Sequence, residues 1–319
     1  MRKILAITSS RADREPLMPV TKALGGNCVH EWGDFSNPSE GDGVTHLLKY
    51  HRPEIVLLLG DQYLTLLHAT TVANHGVPIA HIHGGELTLG SVDDAFRNAI
   101  TKLAYWHFPS CQIHADRVNA MNEPWERIFV CGAPGVDALS EPMMTKEECK
   151  RGLGIDFVSP MALVCHHPET LGNDSMEWAG ELKNYGTVII SGSNSDSGSE
   201  EINKFWVNFP HFNHCFRKSY PQKLWLSLMR HADVLIGNSS GFIIEGMTLQ
   251  EMNRSLRHAF YNKPIINIIG TRQQGRYEEA IEAFLRSDFA FGKPGNVAQK
   301  IADILLSVPI PVRPIKYAI

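Results

Sequence analysis

The chain has six cysteines, Cys28, Cys111, Cys131, Cys149, Cys165 and Cys215, but no CxxC pair and no cluster with histidine at structural-zinc spacing. A zinc finger or ribbon is thereby excluded, and the thiols read as reduced. No apolar run approaches the ~20 residues that cross a bilayer. The opening MRKILAITSS is basic and then apolar, but it breaks at Ser-Ser-Arg after about five apolar residues, too few for the core of a signal peptide. The expected compartment is the cytoplasm. An excess of basic charge is also missing: 30 Lys and Arg stand against 34 Asp and Glu, a formal net charge of -4. There is thus no footprint for nucleic acid, no sign of a membrane surface, and any anionic ligand must be held by a local site. Internal repeats and low-complexity tracts are absent as well.

What is present is enough apolar residue, 43% of 319, to fill one large core or two moderate ones. Short apolar runs recur, each bounded by Gly, Ser, Pro or Asp and followed by helical periodicity, which is the pattern of parallel strands with helical crossovers. The first half offers strands at Lys3–Ile7, Ile55–Leu59, Pro78–His83 and Ile128–Cys131, the second at Met161–Cys165, Thr187–Ser191, Asp233–Ile236 and Pro264–Ile268. Helices are expected at Asp13–Leu24, Leu64–His75, Asp93–Ala104 and Gln222–His231. A proline and a capping-type threonine in SEPMMTK mark a boundary. The expected domains are 1–142 and 143–296, with a helix and proline-punctuated tail, 297–319, that can return to the first. The stripe Leu249, Met252, Leu256 and Phe260 suits either core or a contact face.

In open α/β sheets ligands bind beyond the carboxyl ends of strands, so the polar residues directly after the apolar runs are the ones to inspect. Arg11, in TSSRADRE, suits bidentate phosphate recognition or is a solvated arginine beside Asp13 and Glu15. Asp61, after LLLG, is a carboxylate with a tunable pKa or a helix cap. HIHGGELTLGSVDD is the densest stretch: His81, His83, Glu86, Asp93 and Asp94, with Arg97 a turn later. Several carboxylates there supply proton donors and acceptors with separable pKa values. His81 and His83 alternate along a strand, so they point to opposite faces, and one of them can be a core histidine. No i, i+4 histidine pair accompanies them, so a metal is weakly supported. His167 precedes a proline that fixes its turn, or lies on an ordinary strand exit. GNSSG, with Ser239 and Ser240 and then Glu245 one turn on, makes an anion site at a helix start or a simple cap; it lacks both GxGxxG and a P-loop lysine. Arg272 and Arg276, in IIGTRQQGR, close over phosphates or decorate a surface turn.

Taken in order, SRAD (10–13), GDQ (60–62), HIHGGELTLGSVDDAFRNAITKLAYWHF (81–108), HP (167–168), NSDSG (194–198), HADVLIGNSS (231–240), IIE (243–245) and GTRQQGR (270–276) resemble the hydrolysing UDP-N-acetylglucosamine 2-epimerases of sialic- and legionaminic-acid synthesis. The resemblance implies a GT-B-like fold, two Rossmann-like domains with parallel sheets facing across a cleft. It implies release of UDP and a free epimerised sugar through a 2-acetamidoglucal, with no metal and no nicotinamide. Asp61, Glu86, Asp94 and His167 would form the acid/base set. Arg11, Ser239, Ser240 and Arg276 would contact the diphosphate and Glu245 the ribose, with His83, Arg97 and Asn194 also on the substrate. A homodimer or homotetramer is implied. Three departures from the family pattern stand out: Gln62 where an arginine is usual, Phe242 where a glycine is usual, and a longer stretch between Glu245 and Lys263. They leave room for other members of the same superfold, a non-hydrolysing epimerase or a GT-B glycosyltransferase, and for a catalytically weak sugar-nucleotide-binding protein.

Overall fold

A computed structural model describes residues 2–8, 10–32, 41–169, 171, 175–193, 198–256 and 266–311. The Arg11 side chain, Asn194, Phe260 and the tail from residue 312 lie outside them. In chain order the first elements are β1 (Ile4–Thr8), α1 (Arg11–Leu24), β2 (Cys28–Trp32), α2 (Gly41–His51), β3 (Ile55–Leu59), α3 (Tyr63–Asn74), β4 (Ile79–Ile82), α4 (Asp93–Leu103), β5 (Trp106–Phe108) and α5 (Gln112–Ala120). Then come α6 (Lys146–Leu153), β6 (Met161–Cys165), β7 (Thr187–Ser191), α7 (Ser199–Val207), β8 (His214–Arg217), α8 (Gln222–His231), β9 (Val234–Gly237), α9 (Met247–Leu256), β10 (Ile266–Ile268), α10 (Gln274–Arg286) and α11 (Val297–Ser307).

The chain forms two units, one of 1–86, 93–140 and 283–319, the other of 87–92 and 141–282. The chain therefore re-enters the first unit at Ala283, inside α10 and ahead of the break at 296/297 expected from the sequence. The re-entry is anchored chemically. Asp137 accepts hydrogen bonds from the N–H groups of Gly295 (2.8 Å), Val297 (3.1 Å) and Ala298 (2.7 Å), satisfying the open amides at the start of α11. The Arg2 guanidinium donates to the Leu305 and Val308 carbonyls at the other end, both at 2.6 Å.

Each unit holds one all-parallel five-stranded sheet, ordered β2-β1-β3-β4-β5 in the first and β10-β9-β6-β7-β8 in the second. The central strands are buried on both faces, as parallel strands covered by helices must be: β1, β3, β6 and β7 have no exposed residue. Leu5, Ile7, Val56, Leu58 and Ile79 pack with Val44, Leu48, Val72 and Ile100 from the helices of the first unit. Val164, Val188, Ile190 and Ile236 pack with Trp206 and Phe209 in the second. Leu249, the first member of the apolar stripe, is buried.

Two expectations change. Strands β2, β5 and β8 stand beyond those expected from the apolar runs. Ile128–Cys131, expected as a strand, makes only a single bridge, Ile128 to His107. Phe129 N–H reaches the His107 carbonyl at 2.9 Å, but the next donor on β5 would be Pro109, which has no N–H, so the ladder stops. Strand order reverses at β1/β3 in the first sheet and at β6/β9 in the second, and the crevices at such switch points are where ligands bind in this class of fold. Replacing Asp137 by Ala should cost about 1–3 kcal/mol, because two buried amides and a part-buried one lose their acceptor; urea unfolding of the variant against wild type measures it.

Candidate functional site

At the first switch point, the turns after β3 and β4 and the start of α4 converge on one buried guanidinium. Arg97 is fully buried. It bonds to Asp61 through Nη2, donates from Nη1 to the Glu86 carbonyl at 2.8 Å, and lies 3.5 Å from Asp94 Oδ1. Asp61 is thus not the cap of α3; Gln62 occupies that position, without a side-chain capping bond. Arg97, expected on the substrate, instead directs these donors into the protein, which holds two carboxylates in place.

Glu86, 2% exposed, has a separate set of partners. Its Oε1 lies 2.5 Å from His83 Nδ1 and accepts from Ser110 Oγ at 2.8 Å, and Ser110 Oγ is 2.8 Å from His114 Nδ1. The two strand histidines divide as their alternation requires. His81 is the core one: Nε2 meets the Gly60 carbonyl at 2.8 Å, Nδ1 lies 3.2 Å from Thr101 Oγ1, and burial pushes the imidazole down to about 3. It is neutral at any ordinary pH. His83, just past the strand at φ 68°, turns to Glu86. Gly85 is a required glycine: its φ is 83°, and a Cβ there would overlap the His114 carbonyl. Arg117 donates to the Gly85 carbonyl, and the charges of Asp94 and Glu86 act on it.

At the second switch point the neighbours Cys165 and Gly237 end β6 and β9. Beyond them, Asn238 holds the backbone of His167 twice: Oδ1 accepts from His167 N–H at 2.7 Å and Nδ2 donates to its carbonyl at 2.8 Å. The imidazole is bracketed by Cys165 Sγ, 3.6 Å from Nε2, and Ser193 Oγ, 3.4 Å from Nδ1. His166 points the other way and is fully buried, its ring 5.3 Å from that of Trp178. A helix begins at Ser240, so Ser239 and Ser240, both partly exposed, stand at its open amides. Its first turn, Phe242–Gly246, is a π-turn, a local irregularity frequent at functional sites, and carries Glu245. Phe242 faces away: it is fully buried, stacked on Trp225 at 5.9 Å.

Neither arginine of the 270–276 loop decorates a surface. Arg272 is buried and donates to the Pro168 carbonyl at 2.6 Å; Arg276 is buried on the first turn of α10. Glu169 fastens this loop to the His167 turn by accepting from the Thr271 and Arg272 N–H groups and from Thr271 Oγ1. Among the described residues, no group of three or more His, Cys, Asp or Glu is placed to hold a metal ion, and no helix is long and apolar enough to cross a membrane.

The sequence pattern that defines the UDP-N-acetylglucosamine 2-epimerases matches residues 42–287. The chain belongs to that family. It is 31% identical over 241 residues to GDP/UDP-N,N'-diacetylbacillosamine 2-epimerase (hydrolyzing) of Campylobacter jejuni, covering 70% of this chain and 58% of that one. It is 29% identical to UDP-N,N'-diacetylbacillosamine 2-epimerase (hydrolyzing) of Legionella pneumophila, over 73% and 60%. With polysialic acid biosynthesis protein P7 of Escherichia coli it shares 31%, over 79% and 61%. The matched stretch thus spans about three fifths of the length of these three relatives. Among solved structures, UDP-GlcNAc 2-epimerase from Neisseria meningitidis bound to UDP-GlcNAc superposes with a TM-score of 0.72 at 14% identity, covering 96% of this chain and 100% of that one. The Methanocaldococcus jannaschii UDP-GlcNAc 2-epimerase in complex with UDP-GlcNAc and UDP gives 0.69 at 15%, over 96% and 100%. The two parallel-sheet units are accordingly those of a GT-B-like fold.

Within this epimerase fold, Ser110, His114 and Arg117 follow β5, a strand too short to announce itself, and so escaped a search made after strand ends. Asn238 and Glu169 lay inside inspected motifs but act on backbone. Replacing Arg97 by Met should destabilise the protein by about 3 kcal/mol at pH 7, since two carboxylates lose the cation they share.

Proposed function

We propose that the protein is a hydrolysing sugar-nucleotide 2-epimerase, converting UDP-N-acetylglucosamine or a related UDP-2-acetamido sugar and water to a free N-acetylmannosamine-type sugar and UDP. The observation that carries this reading is the partition of carboxylates at the first switch point: Asp61 and Asp94 share Arg97, while Glu86 is buried against His83 and Ser110. Carboxylates held in place by separate partners can serve as distinct proton acceptor and donor, as sequential proton removal and return require. The word hydrolyzing in the names of the Campylobacter and Legionella relatives supports the same branch.

The chemistry runs in two balanced steps. A carboxylate of the Asp61, Glu86 and Asp94 set takes the proton from C2; the C2–H electron pair becomes the C1=C2 double bond as the C1–O bond breaks, and UDP leaves with that bond pair. Water then adds its oxygen to C1 of the 2-acetamidoglucal, giving one proton to a base of the set, while the C1=C2 pair takes a proton at C2 from an acid of the set on the opposite face. His167, aimed by Asn238 and Ser193, completes the acid/base set. Amides and hydroxyls at Ser239 and Ser240, with Arg276 and Arg11, receive the diphosphate, Glu245 the ribose, and His83 and Asn194 stand with the rest of the substrate.

The test is proton NMR of UDP-N-acetylglucosamine, and separately of a UDP-2,4-diacetamido sugar, in deuterated water. Free UDP and deuterium at C2 of the released epimer are expected with one of them. Epimer still attached to nucleotide would make the enzyme non-hydrolysing, and calorimetric UDP binding without turnover of either sugar would make it a binding protein. With turnover in hand, Glu86→Gln and Asp94→Asn should each lower kcat by about 10²–10⁴.

A further inference from the structure

Asp13 has no part in the scheme above, yet it lies at the β1/β3 switch point. It is on the first turn of α1 and only 5% exposed. Its own helix start holds one oxygen: Ser10 Oγ donates to Oδ2 at 2.9 Å and accepts the Asp13 N–H at 3.2 Å. The other oxygen is pressed on Gly60, where a Cβ would stand 3.2 Å from Oδ1 on a backbone with φ 90°. Only glycine takes that conformation at little cost while leaving the carboxyl its place.

Gly60 is where the local structure of the site is joined. Its N–H donates to the Ile82 carbonyl at 3.1 Å, its carbonyl meets His81, and the next residue is Asp61. The charged groups acting on Asp13 are His83 at the exit of β4 and Asp93 at the start of α4. Along the rest of α1 the neighbours are α11, the short helix Pro134–Ser140, whose Asp137 is turned to the α11 amides, and β2, whose His30 lies 2.9 Å from Thr8 Oγ1 and whose Glu31 lies 2.8 Å from His51. Burial dominates and pushes the Asp13 carboxyl up to about 7, Asp93 adding to the rise, the Ser10 hydrogen bond and His83 opposing it.

We infer that Asp13 is a positioning residue for the Gly60–Asp61 turn, and that its protonated form is the one in which the acid/base cluster is assembled. An ionised Asp13 would add a buried negative charge beside Asp93 and against the turn that carries Asp61, at the place an anionic sugar nucleotide has to approach. The catalytic consequence rests on the epimerase reading; the effect on the turn does not.

Two readouts separate them. In wild type, the backbone amide resonances of Gly60 and Asp61 should titrate with a midpoint near 7. Asp13→Asn, which cannot ionise, should abolish that titration, and Ser10→Ala, which removes a bond favouring the charged form, should move it up by about half a unit or more. The same midpoint should appear as an alkaline fall of kcat in wild type, absent in Asp13→Asn and shifted upward in Ser10→Ala. Amide titrations unchanged in both variants overturn the inference, and so does an alkaline limb that persists unchanged in them. Amide shifts as expected in a protein that turns over no UDP-sugar would uphold the role of Asp13 and sink the epimerase reading instead.

Discussion

The buried guanidinium of Arg97 is the constraint around which the first unit is arranged. Removing such a cation from water costs several kcal/mol, and the loss is recovered only if anions and acceptors surround it. Its partners come from three places: Asp61 after β3, the Glu86 carbonyl after β4, and Asp94 one turn back on α4. Two strand exits and a helix start are thereby bolted at their carboxyl ends, which is where a doubly wound sheet opens for ligand. The same bolt sorts the carboxyl groups. Asp61 and Asp94 are held directly by a guanidinium, whereas the Glu86 carboxyl is held by an imidazole and a hydroxyl, with the Arg117 charge acting on it as it acts on Asp94.

The elements read correctly from sequence are those whose physics is strongest. β3, β6 and β7 are apolar throughout because both faces are covered, and each runs over the residues its apolar stretch suggested. The strands that escaped are edges. β2 and β8 border their sheets with half-exposed residues, CVHEW and HCFR, so polar side chains interrupt the pattern; β5 is buried but only three residues long. Ile128–Cys131 has the composition of a strand, but strand pairing needs donors on both sides, and Pro109 withholds one. Composition foretells burial, while ladder formation depends on the partner.

The site follows the same division. Asp61 and Glu86 stand just past strand ends in the first unit, and His167 and the Ser239–Ser240 pair in the second, because within each sheet the topology gathers the exits of neighbouring parallel strands. Which atoms they offer was not readable. GNSS looks like one ligand loop, yet Asn238 is consumed by the His167 backbone and leaves the two serines at the open helix start. Phe242, a departure from the family pattern that might have crowded the loop, is spent on Trp225 in the core. Gln62 stands at the head of α3, where the family pattern has an arginine, while the cation that Asp61 meets comes from α4. A motif names a chain segment; the direction of each side chain within it is decided by neighbours distant in sequence.

The two switch points also solve opposite electrostatic problems. In the first unit, full charges are buried and balanced inside the protein, so their positions are fixed before any ligand arrives and little reorganisation is left for the reaction. In the second, the start of the helix at Ser240 offers oriented amides and hydroxyls, whose partial positive charge favours an anion, and the loop after β10 adds the buried Arg272 and Arg276. Such a site tolerates being empty, since amides and hydroxyls left by a ligand are satisfied by water, whereas an arginine stripped of its carboxylates is not. On the proposed epimerase reading, a ligand released each cycle suits the second kind of site, and groups that keep their geometry through proton transfer suit the first. The division of polar residues between the units follows that requirement more closely than it follows net charge, which at -4 over the whole chain points to neither.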